Sequence, residues 1–174
     1  MVKNKPLVFT IGHSTRKLSE FMKVLGAYEV EEVVDVRTIP RSRANPQFNE
    51  ERLAAGLKRH HILYKHMKGL GGLRHPLKDS INTYWYNASF RGFADYMQTN
   101  EFRRNIVELI SVAKKRQTVI MCAESVPWRC HRSLIADALA VRGVIVRHIF
   151  SSTNSKPHEL TKSAKMSRLN IVYK

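Results

Sequence analysis

Both cysteines of the chain, Cys122 and Cys130, lie in one short segment between an apolar run and a helix-like one. At the predicted start of that helix, Cys130 is flanked by Arg129, His131 and Arg132. Backbone N–H groups at a helix N-terminus, the helix dipole and neighbouring cations stabilise both a thiolate and a bound anion. The segment therefore predicts either an anion-binding site or a nucleophilic Cys130 thiolate.

Two sets of residues suit these two chemistries. For a thiolate enzyme we expect Cys130 as the nucleophile, with Glu124 and His131 as acid–base groups. For a bound anion we expect groups at strand ends and at the helix start, namely His13, Ser14, Asp35, Arg37, Arg129, Arg132 and Ser133. Plainer roles stay open, because Cys122 is better interpreted as a small buried apolar residue and a helix-start cysteine is commonly structural. Glu124 and Asp35 could likewise be solvated or structurally paired carboxylates.

Zinc is a further chemical alternative for these side chains. Cys122, Cys130, His131 and His13 have the ligand types that zinc prefers. However, the sequence lacks the closely spaced cysteine pairs of structural zinc sites, and adjacent Cys130 and His131 side chains should diverge on a helix. We therefore predict no metal here, and the sequence identifies no cofactor.

Short apolar runs alternate with amphipathic segments along the chain. Strands are predicted at residues 7–11, 33–36, 62–64, 118–122 and 144–150, and helices at 18–25, from 49, between 93 and 113, and at 134–141. This alternation predicts a three-layer α/β fold of Rossmann-like type, with a mostly parallel central sheet and helices on both faces. Ligands bind outside the carboxyl ends of such strands, so we expect the candidate residues to converge on one pocket there.

The length of 174 residues fits one domain. We expect residues 1–150 to form it, and 151–174 to be a basic tail that adds an edge strand or stays mobile. The sequence has no apolar window approaching about 18 residues and no signal-peptide core at its start. We therefore expect a cytoplasmic protein with free thiols and no membrane association.

The charge balance points to a polyanionic partner, because 30 Lys and Arg residues against 14 Asp and Glu residues leave a formal net charge of +16. Such a field concentrates phosphates at the surface, although a generally basic composition is the plainer explanation. Tyr84, Trp85, Tyr86 and Phe90 could stack on bases, but a buried aromatic cluster is favoured. We interpret the chain as binding a phosphate-containing ligand, with nucleic acid favoured. The alternative is a cysteine-dependent hydrolase or transferase; the oligomeric state stays open.

Several of these segments together resemble the domain of unknown function 488 family. The similar segments are residues 10–14, 35–37 with Pro40 and Ser42, 48–49, 70–72, 122–124 and 130–132. The paired Cys-Ala-Glu and Cys-His-Arg signature is specific, and the similarity extends from about residue 7 to residue 150. The resemblance implies a compact α/β domain, and it brings no established reaction, substrate or cofactor.

Overall fold

Short apolar segments form a six-stranded central sheet in the computed structural model, which describes residues 5–174 of the chain. The strands are β1 (Leu7–Gly12), β2 (Glu32–Asp35), β3 (Leu63–His66), β4 (Thr118–Cys122), β5 (Ile145–Ser151) and β6 (Asn154–Pro157). They lie in the order β3-β2-β4-β1-β5-β6, with β1 to β5 parallel and β6 antiparallel to β5. Central strands of a parallel sheet are covered on both faces, which explains why β2 and β4 are continuously buried.

Five helices cover the two faces of the sheet. They are α1 (Leu18–Ala27), α2 (Glu50–Arg59), α3 (Ala88–Tyr96), α4 (Asn100–Ala113) and α5 (Arg132–Ala140). On one face, Phe21 of α1 and Leu53 of α2 pack in a cluster with Phe9 of β1. On the other face, a second cluster joins Phe93 of α3, Ile106 of α4 and Leu134 of α5. The two clusters confirm the predicted three-layer α/β fold.

The region between residues 93 and 113, predicted as one or two helices, contains the end of α3 and the whole of α4. Asn87 accepts hydrogen bonds from the backbone N–H groups of Ser89 and Phe90, which caps α3. Thr99 accepts one from the N–H of Phe102 and caps α4. No helix within residues 5–174 has the length and apolar character needed to cross a membrane.

Residues 151–174 pack against the rest of the protein through β6 and a hairpin. The hairpin consists of β7 (Ala164–Ser167) and β8 (Asn170–Tyr173), which pair with each other in a separate two-stranded sheet. Tyr173 is fully buried, and its ring contacts Trp85 at a centroid distance of 5.5 Å. Trp85 also stacks on Phe90 at 4.8 Å, so this part of the aromatic segment is an internal cluster, whereas Tyr86 is exposed.

Candidate functional site

The carboxyl ends of β1, β2 and β4 lie side by side because β4 pairs with both of its neighbours. The N–H of His13 donates to the carbonyl of Cys122 at 2.9 Å, and that of Val36 to the carbonyl of Met121 at 3.0 Å. A Cβ on Gly12 would lie 1.6 Å from the carbonyl oxygen of Glu124. Only glycine therefore lets the loop after β4 pass this close to β1.

The two cysteine side chains meet in that loop, with their sulfurs 2.7 Å apart. A short 3-10 turn at Pro127–Arg129 brings the chain back, and Cys130 follows it in extended conformation with φ −140° and ψ 148°. The prediction that Cys130 lies within the first helical turn is therefore wrong, because α5 begins only at Arg132. The extended backbone directs the Cys130 thiol toward the end of β4.

His131 also contacts Cys130, contrary to the expected divergence of these adjacent side chains. Its Nδ1 atom lies 3.5 Å from the Cys130 sulfur, since Cys130 is not helical. The other ring nitrogen, Nε2, donates to the carbonyl of Val36 at 2.9 Å. That carbonyl can only accept, so it holds a proton on Nε2. Nδ1 therefore accepts from a Cys130 thiol when the ring is neutral and donates to a Cys130 thiolate when the ring is charged.

These contacts favour ionisation of Cys130. Burial acts to raise the pKa of its thiol, but hydrogen bonds from Cys122 and His131, with the charges of His131 and Arg132, lower it well below the ordinary value. The backbone N–H of Arg132 adds a contact of 3.5 Å to the same sulfur. Burial, together with the hydrogen bond to Cys130, raises the pKa of Cys122 instead. Of the two thiols, Cys130 is therefore the one whose ionisation the surrounding contacts favour.

Arg132 lies beneath the pair and is almost completely buried, with 1% of its surface exposed. Its Nε donates to the Cys122 sulfur at 2.9 Å, and its Nη2 to the carbonyl of Glu124 at 2.7 Å. Its Nη1 donates to the hydroxyl of Thr10 at 3.2 Å. The guanidinium therefore binds the cysteine loop, and the prediction that Arg132 binds an external anion is wrong for this arrangement.

A pocket of about 360 Å³ opens above the cysteines, and we call it the site pocket. Of the expected residues, it is lined by Arg37, Glu124, Arg129, Cys130 and His131. Sequence reasoning did not assign the other lining residues, which include Arg41, Cys122, Ile39, Gly72, Leu73 and Phe90. Ile39, Arg41 and Leu73 lie in loops without periodicity, and Phe90 lies near the start of α3, where the sequence indicated only a base-stacking or core aromatic residue. No sequence signal therefore placed them at this site.

The remaining expected residues lie behind or beside the site pocket. Asp35 is fully buried and accepts from Arg37 Nη2 at 2.6 Å and from the Tyr64 hydroxyl at 2.8 Å. Asp35 and Arg37 thus form the structural ion pair that was the alternative to a ligand-binding role. The pair fixes the Arg37 side chain at the floor of the pocket, where it lies 3.4 Å from Nε2 of His13.

His13 is also internal and stacks on Phe48 with a ring distance of 4.2 Å. Burial lowers its pKa to about 4. Its Nδ1 donates to the carbonyl of Ser14 at 2.8 Å. Ser14 is not among the residues that line the site pocket, and Ser133 lines a different cavity of about 590 Å³.

A chain of hydrogen bonds that the sequence did not predict leads away from Arg132. The Thr10 hydroxyl contacts Nδ1 of His148 at 2.7 Å, and Nε2 of His148 contacts Nδ1 of His158 at 2.9 Å. Nε2 of His158 then donates to Asp137 at 2.8 Å, and the Tyr173 hydroxyl donates to the other oxygen of Asp137 at 2.8 Å. Since Asp137 can only accept, it holds a proton on Nε2 of His158; when that ring is neutral, Nδ1 of His158 accepts from Nε2 of His148, and Nδ1 of His148 accepts from the Thr10 hydroxyl. The C-terminal hairpin is thereby connected to the residue that supports Cys122.

The alternative of a zinc site finds no support in residues 5–174, where no cluster of three or more His, Cys, Asp or Glu side chains could hold a metal ion. The two thiols instead contact each other and Arg132.

Comparison with known protein families identifies a relationship. A family model described as a domain of unknown function, DUF488, matches residues 17–139 and so includes both cysteines, Arg37 and Arg132. No curated protein matches the chain, and no solved structure does. The match covers most of the chain and confirms the resemblance in all of its segments except residues 10–14, which lie outside the matched range. The chain therefore belongs to the DUF488 family of uncharacterised domains.

Proposed function

We propose that this protein binds an anionic, phosphate-containing ligand in the site pocket. The observation that carries the proposal is the pair of exposed arginines on its walls, Arg41 and Arg129. Within residues 5–174, neither guanidinium forms a salt bridge or a hydrogen bond with another residue. Both are thus available to a ligand, and arginine binds phosphate through two parallel N–H groups.

The rest of the lining suits a ligand that also has an apolar, planar part. Ile39 and Leu73 expose 61% and 68% of their surfaces, and Phe90 lies beside them. A nucleotide combines a phosphate with a base that packs on such side chains. Together with the net charge of +16, this favours nucleic acid or one of its nucleotides as the ligand. The carboxylate of Glu124 lines the same pocket and limits the negative charge that it accepts.

Binding of a fluorescent single-stranded oligonucleotide and of a free nucleotide tests the proposal. We expect Arg41→Ala and Arg129→Ala each to weaken binding by about threefold to tenfold, as for a partly exposed charged hydrogen bond. Arg43→Ala is the matched control, since Arg43 is exposed in the same loop and does not line the pocket. If two phosphate contacts carry the affinity, its logarithm should fall with the logarithm of salt concentration with a slope of about −1.4.

Three outcomes would contradict this binding site. An equal loss of affinity in Arg43→Ala would mean that general surface charge attracts the anion. Unchanged affinity in both pocket variants would mean that the ligand binds elsewhere or that no such ligand exists. A much steeper dependence of affinity on salt concentration would mean that the oligonucleotide binds a broad basic surface and not the pocket.

A second candidate function is a cysteine-dependent hydrolase or transferase that acts on an anionic substrate. The observation in its favour is the set of contacts that lowers the pKa of Cys130 at the floor of the same pocket. In this reaction Cys130 attacks the substrate and forms a covalent intermediate, while Glu124 or His131 transfers the proton to the leaving group. An initial burst of nitrophenol from nitrophenyl phosphate, absent in Cys130→Ser, supports this function; no turnover by the unmodified protein counts against it.

A further inference from the structure

We propose that Cys122 and Cys130 act as a dithiol–disulfide pair that exchanges with the disulfide of a small anionic thiol bound in the site pocket. Both thiols are free, and their sulfurs lie 2.7 Å apart at the pocket floor. The chain has no third cysteine. Arg41 and Arg129 give the pocket its preference for anions, so the inference rests on the proposed function for its choice of substrate.

In the first step, the Cys130 thiolate attacks one sulfur of the bound disulfide. A bond forms between the Cys130 sulfur and that substrate sulfur, and the substrate S–S bond breaks. The first thiolate product leaves with the bonding electron pair and takes up a proton from solvent. Cys130 suits this role because His131 and the backbone N–H of Arg132 contact its sulfur. The product of this step is a mixed disulfide on Cys130.

In the second step, Cys122 resolves the mixed disulfide. Its proton passes to solvent, and the new thiolate attacks the neighbouring Cys130 sulfur, so that the second substrate thiolate leaves and is protonated in turn. Arg132 Nε donates to the Cys122 sulfur at 2.9 Å and stabilises its thiolate once Cys130 is no longer charged. Overall, the Cys130 thiolate and the Cys122 thiol lose two electrons and one proton, and one substrate disulfide takes up these electrons, with this proton and one more from solvent, to become two thiols. Two substrate thiols, acting as the reductant, run the same two steps in reverse and restore the protein dithiol.

The geometry favours Cys122 as the resolving residue over any external thiol. Its sulfur already touches the atom that it must attack, whereas an external thiol would have to enter a pocket occupied by the mixed disulfide. Cys122 is the last residue of β4, whereas Cys130 lies in the loop just before α5. Small movements of that loop can bring the sulfurs to bonding distance without disrupting the sheet.

Reaction with dithiobis(nitrobenzoate), an anionic disulfide whose thiol product is coloured, tests the proposal on the full chain. We expect the unmodified protein to release two equivalents of coloured thiol, to retain none, and to lose the mass of two hydrogens. Cys122→Ser should release one equivalent and retain one. Cys130→Ser should react about tenfold or more slowly near neutral pH. Trypsin, which cleaves after Arg129, should leave residues 117–129 and 130–132 of the oxidised protein joined by the disulfide.

Retention of the coloured thiol by the unmodified protein would overturn the exchange, because each cysteine would then react alone. This readout needs no variant and does not depend on how the serine substitutions fold. Cross-links between two chains, seen on a non-reducing gel, would overturn it as well.

A second comparison separates this inference from the proposed function. The double variant Arg41→Ala/Arg129→Ala should slow the reaction with the anionic disulfide about tenfold more than the reaction with neutral dithiodipyridine. Equal rates of this variant and the unmodified protein with both reagents would refute the anion site while leaving the exchange intact. Retained adduct together with a persistent preference for the anionic reagent would refute the exchange while leaving the anion site intact.

Discussion

Replacement of His131 by glutamine gives the sharpest test of how the site stabilises a thiolate. The amide nitrogen of glutamine can occupy the position of Nε2 and keep the hydrogen bond to the carbonyl of Val36, now at 2.9 Å. It carries no group at the position of Nδ1, which lies 3.5 Å from the Cys130 sulfur. The substitution therefore removes one contact of Cys130 and leaves the orientation of the residue intact. We expect the pKa of the Cys130 thiol to rise toward its ordinary value.

The size of the effect follows from the contact that is lost. A hydrogen bond to a charged group contributes about 1.5–3 kcal/mol, which corresponds to a change of about tenfold to a hundredfold in the thiol–thiolate equilibrium. A more basic thiolate is also a better nucleophile, and this offsets about half of the logarithmic change. We therefore expect alkylation of Cys130 at about pH 6 to slow by about threefold to tenfold.

The rate of alkylation by iodoacetamide, measured at several values between about pH 5 and 9, provides the assay. Trypsin cleaves after Arg129, so that mass spectrometry follows the labelling of Cys122 and of Cys130 on separate peptides. In the unmodified protein, Cys130 should react at much lower pH than an ordinary thiol, whose pKa is about 8.5. Cys122, with its raised pKa, should react more slowly. The matched control is His75→Gln, because His75 is exposed and does not line the site pocket.

Two results would refute this reasoning. If Cys130 of the unmodified protein reacts with the pH profile of an ordinary thiol, the surrounding contacts do not stabilise its thiolate. If His131→Gln and His75→Gln give the same profile as the unmodified protein while Cys130 reacts at low pH, then His131 is not the cause. Cys122 and Arg132 would have to account for the thiolate alone.

Two other predictions concern stability and the positioning of His131. Burial lowers the pKa of His13 to about 4 and that of His148 to about 3, so the unfolded chain, in which both titrate near 6.5, binds protons that the folded protein excludes. The stability that the two neutral histidines contribute is thus fully present above about pH 6.5 and is lost as the pH falls. Urea unfolding should show a loss of about 2 kcal/mol per histidine between pH 7 and pH 5. The same loss in His148→Asn as in the exposed control His60→Asn would contradict this. In Gly72→Ala, the new Cβ would lie 2.5 Å from Nδ1 of His131 and would displace the ring, so Cys130 alkylation should slow as in His131→Gln. The control Gly26→Ala, whose Cβ meets nothing within 4 Å, should react like the unmodified protein. Equal alkylation rates in the two variants would exclude a displacement of His131.

The fold class could be predicted from the sequence because it depends on local patterns. Continuous apolar runs, such as the one that became β4, indicate strands buried on both faces, and apolar residues at helical spacing indicate helices that pack on them. The hydrogen bond by which Thr99 caps α4 likewise acts within one turn of chain. A general rule then predicts where the candidate residues gather, since the carboxyl ends of parallel strands meet at one edge of the sheet.

Details of the candidate site depend on contacts between distant segments, so no local pattern reveals them. The sequence placed Cys130 in a helix, whereas Pro127 and the 3-10 turn hold it in extended conformation, where its sulfur meets that of Cys122. Likewise, the sequence predicts an anion ligand for a cationic residue near a cysteine, whether its side chain is buried or exposed in the folded protein. Only burial distinguishes Arg132, which binds protein groups, from Arg41, which faces the pocket.

By itself, then, the sequence determined the three-layer architecture, the family and the edge of the sheet where chemistry-bearing residues gather. Tertiary structure decided which of these residues face the site pocket, which are paired internally, and that Thr10, His148, His158, Asp137 and Tyr173 form one hydrogen-bonded chain. The physical reason is the range of the interactions involved. Backbone propensity and apolar periodicity act over a few residues, whereas burial, ion pairing and thiol contacts are set by side chains that only the folded chain brings together.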